Sequence, residues 1–301
     1  MTEEEYMDFS SAEPIKKMFK MASYVGGSTA ITPMTQPCFD IGAEKENGYL
    51  KLTTVDSTHV CLLIQSTVGR PSNIHPWASW KHFNETTTVG DTFHADPNEI
   101  QKSIHRGEAS VHIRIPDDDT RLITIKNGRA TTTIRSMEGV EVPKDLNIVC
   151  EATHYLDRVV LLEGLERITA FNSNRFNFEV CKDGELYISS VGQHQEPNRS
   201  FRLERVAESL YEDGYPDQEY VEAHPEETWD ISPEYKTDKL AVLQRILNST
   251  TSEMVAISYS KNKPLFVESS LEVNNRPFDY DGAWMAGCSW RFILAPMVKE
   301  N

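Results

Sequence analysis

The chain has 301 residues, enough for two domains of ordinary size, and its 39% hydrophobic and 25% charged residues describe a soluble, globular protein. No apolar run approaches the ~18 residues of a membrane span, and the acidic opening MTEEEYMDF lacks the basic start of a signal peptide, so neither membrane insertion nor secretion is expected. A net charge of −16 argues against a uniformly phosphate-binding surface, and the five cysteines (Cys38, Cys61, Cys150, Cys181, Cys288), without a CxxC pair, predict free thiols in a reducing compartment rather than disulfides or zinc.

In chain order, the first predicted element is a helix over 12–25, with Ile15, Met18, Phe19 and Ala22 on one face and Lys16, Lys17 and Lys20 off it. Asn47-Gly48 lies between strand-like runs and predicts a tight hairpin turn. Two β runs follow, Leu50–Val55 and Val60–Gln65, with a bend between them. Asp96-Pro97 opens a predicted helix over 97–107 that aligns Ile100 with Ile104. Val111–Ile115 alternates with period two, Asp117–Asp119 reads as a solvated hairpin tip, and Asn127-Gly128 marks another hairpin. A helix is predicted over 153–167 from Leu156, Val159 and Val160. Strands are predicted at Phe176–Val180 and Phe201–Leu203, with a turn at Asp183-Gly184. A last helix, 233–248, carries Leu240, Leu243 and Leu247.

The four helices fall as two pairs, each within a run of antiparallel strands, so the pattern strand, helix, strands, helix, strands occurs twice. The expected organisation is an α+β domain over 1–136, a connector over 137–147 and a second, similar domain over 148–301. The four helical windows carry a net +3, which leaves −19 on the remaining residues. Helices are therefore the least acidic part of an acidic chain.

The stretch LKLTTVDSTHVCLLIQ places Asp56, Ser57 and His59 close together, the side chains of a charge-relay hydrolase. Adjacent strand residues point to opposite faces, so Asp56 and Ser57 would not both reach one imidazole. No GxSxG elbow or glycine-rich phosphate loop occurs, and His75 and His82 beside Trp77 and Trp80 lack metal-ligand spacing. No catalytic residue, metal or cofactor is expected. The rival readings from other classes are a β-rich hydrolase using Ser57 and His59, and a carbohydrate-binding β-sandwich using Trp77, Trp80 and Trp284.

Val55-Asp-Ser-Thr-His-Val60 resembles the "(M/V)DSSHV" segment of sliding clamps of the proliferating cell nuclear antigen (PCNA) type. Lys263-Pro-Leu-Phe-Val-Glu268 is similar to that family's "PLVVEY" strand, and Trp290-Arg-Phe-Ile-Leu-Ala-Pro-Met-Val298 to its closing "YYLAPKI". Ile15–Lys20 falls at its first basic helix, Leu156–Val159 at "FARI", and Val142-Pro143 at the Ile-Pro of its connector. Residues 66–92 and 274–288, the latter with Phe278, Tyr280 and Trp284, read as insertions and point to an archaeal or viral version.

The resemblance implies a DNA-clamp fold, with antiparallel sheets outside and short helices inside, closing as a homotrimeric ring around double-stranded DNA. It implies no chemistry. The implied partners are a DNA polymerase, a clamp loader and proteins bearing PCNA-interacting peptides, in a prokaryotic or virus-infected cytoplasm or a eukaryotic nucleus. Lys16, Lys17, Lys20, Lys102, Arg106 and Arg158 are expected to face DNA. Val55, His59, Val60, Val142, Pro264, Ile293, Ala295 and Pro296 are expected to form the partner pocket. Thr131, Thr133, Arg135, Phe201 and Leu203 are expected at the subunit interface. A checkpoint-type subunit of a heterotrimer is the alternative within this fold.

Overall fold

Backbone pairing in the first half of the chain begins with β1 (Tyr6–Phe9), followed by α1 (Ala12–Val25) and an antiparallel meander of β2 (Met34–Ile41), β3 (Asn47–Val55) and β4 (Val60–Gly69). Next come β5 (Ala78–Lys81), α2 (Pro97–Ser103) and the strands β6 (Val111–Arg114), β7 (Leu122–Asn127) and β8 (Ala130–Arg135). These strands assemble in the order β5-β1-β6-β7-β8, antiparallel throughout. The structure is a computed structural model that describes residues 6–9, 12–25, 34–41, 47–55, 60–69, 78–81, 95–105, 111–114, 122–135, 148–171, 173–181, 185–191, 199–207, 210–211, 230–270 and 288–297.

The second half repeats this plan. It runs β9 (Ala152–Asp157), α3 (Arg158–Ala170), β10 (Arg175–Val180), β11 (Leu186–Ser190), β12 (Arg199–Leu203) and β13 (Leu210–Tyr211). Two short strands, β14 (Asp230–Ile231) and β15 (Tyr235–Lys236), precede α4 (Leu240–Ser249), β16 (Met254–Tyr259), β17 (Leu265–Ser270) and β18 (Cys288–Leu294). One sheet holds β10-β11-β12, the counterpart of β2-β3-β4. The other runs β13-β9-β16-β17-β18, the same strand order as β5-β1-β6-β7-β8. The fold is α+β with two similar domains. The chain separates into two compact units, Met1–Pro143 with Phe278–Trp290, and Lys144–Pro277 with Arg291–Asn301. The change of unit at 143/144 lies inside the segment 137–147.

Local chemistry explains where the helices begin. Asp96 accepts a hydrogen bond from the Asn98 N–H at 2.8 Å, and Pro97 needs no partner for an N–H it lacks. Asp157 accepts from the Val159 N–H at 2.7 Å, which starts α3 five residues later than the sequence suggests. Residues 153–157 are strand, not helix. β9 has His154, Tyr155 and Leu156 all buried, so its two-residue alternation is erased, and the Leu156-Val159-Val160 spacing straddles a strand and a helix. Residues 235–236 are likewise strand, and α4 begins at Leu240. Asn47-Gly48 opens β3, with Gly48 opposite Ile41, instead of forming a turn. Asn127 pairs with Ala130 around a two-residue loop in which Gly128 adopts φ 60°. Asp183-Gly184 and Asp117–Asp119 lie outside the described residues.

In the second unit the two sheets share an aromatic core. Phe176 meets Phe178 edge-on at 5.9 Å, and Phe178 stacks on Tyr259 at 6.2 Å. α3 covers the β10-β11-β12 sheet through Gly164, where a Cβ would come within 2.9 Å of Leu203 Cδ2 and 3.1 Å of Ile188 Cγ2. Only glycine permits this approach without moving β12. Cys150 is a free thiol that burial pushes up to about 11.

His154 is fully buried, with Nε2 and the Tyr259 hydroxyl 3.0 Å apart. Desolvation, aided by the positive charge of Arg205, lowers its pKa to about 3. An unfolded histidine titrates near pH ~6.5. Between those values the unfolded chain binds a proton that the native state refuses, so stability is complete above the higher value and falls as pH drops toward the lower. The slope contributed by this site is at most about 1.4 kcal/mol per pH unit. Melting temperatures measured from about pH 7 to about pH 4 should therefore fall more steeply for the parent than for His154→Gln.

Candidate nucleic-acid interface and docking surfaces

α1 buries Met18, Phe19, Met21, Ala22 and Val25. At 3.6 residues per turn that leaves Lys16 and Lys20 at the centre of the opposite face, flanked by Lys17 and Tyr24. Lys20 is exposed, whereas Lys16 and Lys17 are partly covered. The Lys16 ammonium donates to the backbone carbonyl of Ile104 at 2.6 Å. Ile104 is the C-cap of α2, so this charge sits at the negative end of that helix. Lys102 is exposed on α2, and Arg106 lies outside the described residues.

The second unit repeats this arrangement with arginine. Arg158 Nε donates to the Ser252 carbonyl at 3.1 Å, and Nη1 donates to the Leu247 carbonyl, in the last turn of α4, at 3.3 Å. Its backbone N–H reaches Glu253 O at 2.7 Å. In each unit a cation on the first helix closes the carbonyl end of the second. Lys16 and Arg158, expected at DNA, thus have their charge centres engaged in joining helices.

What α3 shows to solvent is different in kind. Its buried side is Leu161, Leu162, Gly164, Leu165 and Ile168, and its exposed side is Val159, Glu163, Glu166, Arg167 and Ala170. Arg167 pairs with Glu163 at 2.8 Å and lies over the Phe201 ring at 4.8 Å. On α4 the exposed cation is Arg245, opposite Leu243, Ile246 and Leu247. Sequence reading passed over Arg245, although its place across from that leucine row marks it as outward-facing.

β8 and β12 each have one sheet neighbour among the described residues, β7 and β11. Thr131, Thr133 and Arg135 of β8 are exposed while Ile134 is buried. On β12, Leu203 is only 2% exposed and Phe201 is half-buried beneath Arg167. Both side chains serve the packing of α3, so what β12 has to offer a neighbour is its backbone edge.

Of the expected pocket residues, Val55 ends β3 half-buried and Val60 opens β4 at 2% exposure. His59 and Val142 lie outside the described residues, as do Asp56, Ser57, Trp77 and Trp284. In the second unit Pro264, Ala295 and Pro296 are half-buried, whereas Ile293 is 5% exposed and belongs to the core of its strand. The Met297 N–H bonds Glu234 O at 2.8 Å and anchors the closing segment. Near Pro264, Lys263 Nζ donates to Val149 O at 3.1 Å and the Glu151 N–H to Ser260 Oγ at 2.7 Å. These bonds fix Val149, 66% exposed, beside the turn that leads into β17. Val149 was not foreseen. Its signal was the apolar pair Ile148-Val149 directly after the connector. Among the described residues no three His, Cys, Asp or Glu side chains gather as a metal site.

No family model matches the sequence, and no curated protein matches it. Solved structures do. The chain is similar to the PCNA2–PCNA3 complex of Sulfolobus tokodaii at 12% identity, covering 97% of this chain and 98% of that one, with a TM-score of 0.58. It is similar to A. fulgidus PCNA bound to the C-terminal region of FEN-1 at 14% identity, covering 98% and 100%, with a TM-score of 0.62. The DNA polymerase III beta chain of Streptococcus pneumoniae TIGR4 matches at 14% identity over 99% of this chain and 66% of its own, with a TM-score of 0.63. The chain has the sliding-clamp fold.

The two kinds of helix cation should separate in unfolding experiments. Arg158→Met removes charged donors from two backbone carbonyls and should cost about 1.5–3 kcal/mol in urea unfolding. Lys20→Met, at an exposed position, should stay within about 0.5 kcal/mol of the parent.

Proposed function

We propose that the chain is a DNA sliding clamp, three copies of which close into a ring around duplex DNA and tether a polymerase and other replication and repair proteins. The observation that carries this reading is the duplicated plan: two units of the same strand order, each with a helix pair on its sheets, and with β8 and β12 each left with one open edge among the described residues. Open edges in a soluble protein demand a partner strand or a device that blocks pairing. Joining β8 of one copy to the β12 backbone of the next satisfies both edges and, repeated by rotation, closes the ring. The helices then meet DNA through phosphate contacts that carry no base specificity, and the acidic remainder of the surface discourages binding elsewhere. No step requires a nucleophile, so Asp56, Ser57 and His59 need do no chemistry.

In solution the native mass should be three times that of the 34.2 kDa chain across micromolar concentrations. A monomeric mass throughout would defeat the homotrimer and favour a subunit that needs different partners. Successive N–H groups of a strand point to opposite neighbours. Of Thr131→Pro and Thr132→Pro, one should therefore lower the assembly mass with the fold intact, while the other disturbs the pairing with β7.

Partner proteins would dock on the second unit at Val149, Pro264 and Ala295–Pro296, half-exposed or exposed apolar groups held by fixed backbone. Support comes from A. fulgidus PCNA, whose structure holds the C-terminal region of FEN-1. Ile293→Asp would report on folding, because Ile293 is buried. Ala295→Asp should lower affinity for a PCNA-interacting peptide by on the order of 2 kcal/mol or more with the assembly mass unchanged. Equal affinity in parent and variant would refute the docking site.

A further inference from the structure

We infer that the helical faces divide the work on DNA unequally: the α1–α2 face holds phosphates, while the α3 face, through Glu163 and Glu166, repels them, offsets the exposed Arg245 of α4 and keeps the clamp's grip weak. This rests on the reading that the helices face the duplex. The outward side of α1 carries Lys17 and Lys20 with no acid between residues 16 and 25, and α2 adds exposed Lys102 against exposed Glu99. The outward side of α3 has Val159, Glu163, Glu166 and Ala170 at its centre. Its one outward cation, Arg167, is held by Glu163 at 2.8 Å and leans over Phe201 at the margin of the face. Arg158, which could have balanced the acids, is turned onto the carbonyls of Leu247 and Ser252. Two carboxylates facing a duplex oppose its phosphates, and this repulsion subtracts from whatever the lysines gain by releasing counterions.

The test is the affinity of the full chain for a fluorescent linear duplex across a salt series. Lys20→Gln and Lys102→Gln should each weaken binding several-fold and flatten the dependence of log affinity on log salt by about 0.9. Glu166→Gln should tighten binding several-fold, and the pair Glu163→Gln with Glu166→Gln should tighten it further, since Arg167 is then released as well. Both glutamates are exposed, so folding is not at issue, and unchanged melting curves confirm this. If the lysine variants weaken binding and the glutamate variants leave it unchanged or weaker, the division is overturned while the clamp reading survives. If neither set alters binding, the helical faces do not meet DNA and both readings fall.

Discussion

Each unit depends on a cation placed at the carbonyl end of a neighbouring helix. A short helix such as α2 is marginal by itself, and its last carbonyls are left without partners inside the helix. Lys16 reaches one of them from α1, and Arg158 reaches the end of α4 from the start of α3. A positive charge at a helix C-terminus contributes about 0.3–1 kcal/mol when exposed and up to about 2 kcal/mol when partly buried. The bond does more than stabilise. It joins the two helices of each pair, and it engages one of their cations away from the outward face.

Beside its helix pair, each unit is built from strands. In the sheet order β5-β1-β6-β7-β8, and in its copy β13-β9-β16-β17-β18, the opening strands β1 and β9 pair antiparallel with β6 and β16 from far along the same half of the chain. These sheets, and the β10-β11-β12 sheet, leave open edges among the described residues. On β8 the edge is rich in threonine, polar enough to remain soluble and β-branched enough to hold an extended backbone. On β12 the side chains are committed to α3 through Gly164, which leaves the main chain as the available surface. An interface formed from main-chain hydrogen bonds places few demands on side-chain identity.

That is also why much of the fold was legible and part of the site was not. The span of α1 could be read because its apolar face is continuous and its other face is lysine-rich. The duplication could be read because helix pairs recur at matching places among the strands. β9 was misread as helix because its residues are buried on both faces, and periodicity is then silent. Asn47-Gly48 carried a turn signal that the strand pairing overrode. Arg158 is expected at DNA from the resemblance of Leu156–Val159 to "FARI", which carries no information on what engages its guanidinium. Its partners lie 89 and 94 residues away, and only the tertiary structure brings them together. Arg245 and Val149 are the reverse case, single side chains whose local signals, a place across from the α4 leucine row and an apolar position just after the connector, went unused.

A clamp fold at 12–14% identity to its structural neighbours is physically reasonable on these terms. If function is enclosure, as proposed, its demands fall on the register of helix pairs, on open strand edges and on the sign of charge on a face. None of these fixes a particular side chain as catalysis would. Lysine or arginine can close a helix end, and any β-tolerant residue can sit on an edge. If the chain encloses DNA as proposed, carboxylates on α3 are compatible with that freedom, since a closed ring is held by topology and needs no strong hold on phosphate. On the proposed division, attraction at α1–α2 and repulsion at α3 would leave an enclosed duplex free to slide, which tight symmetric binding would oppose.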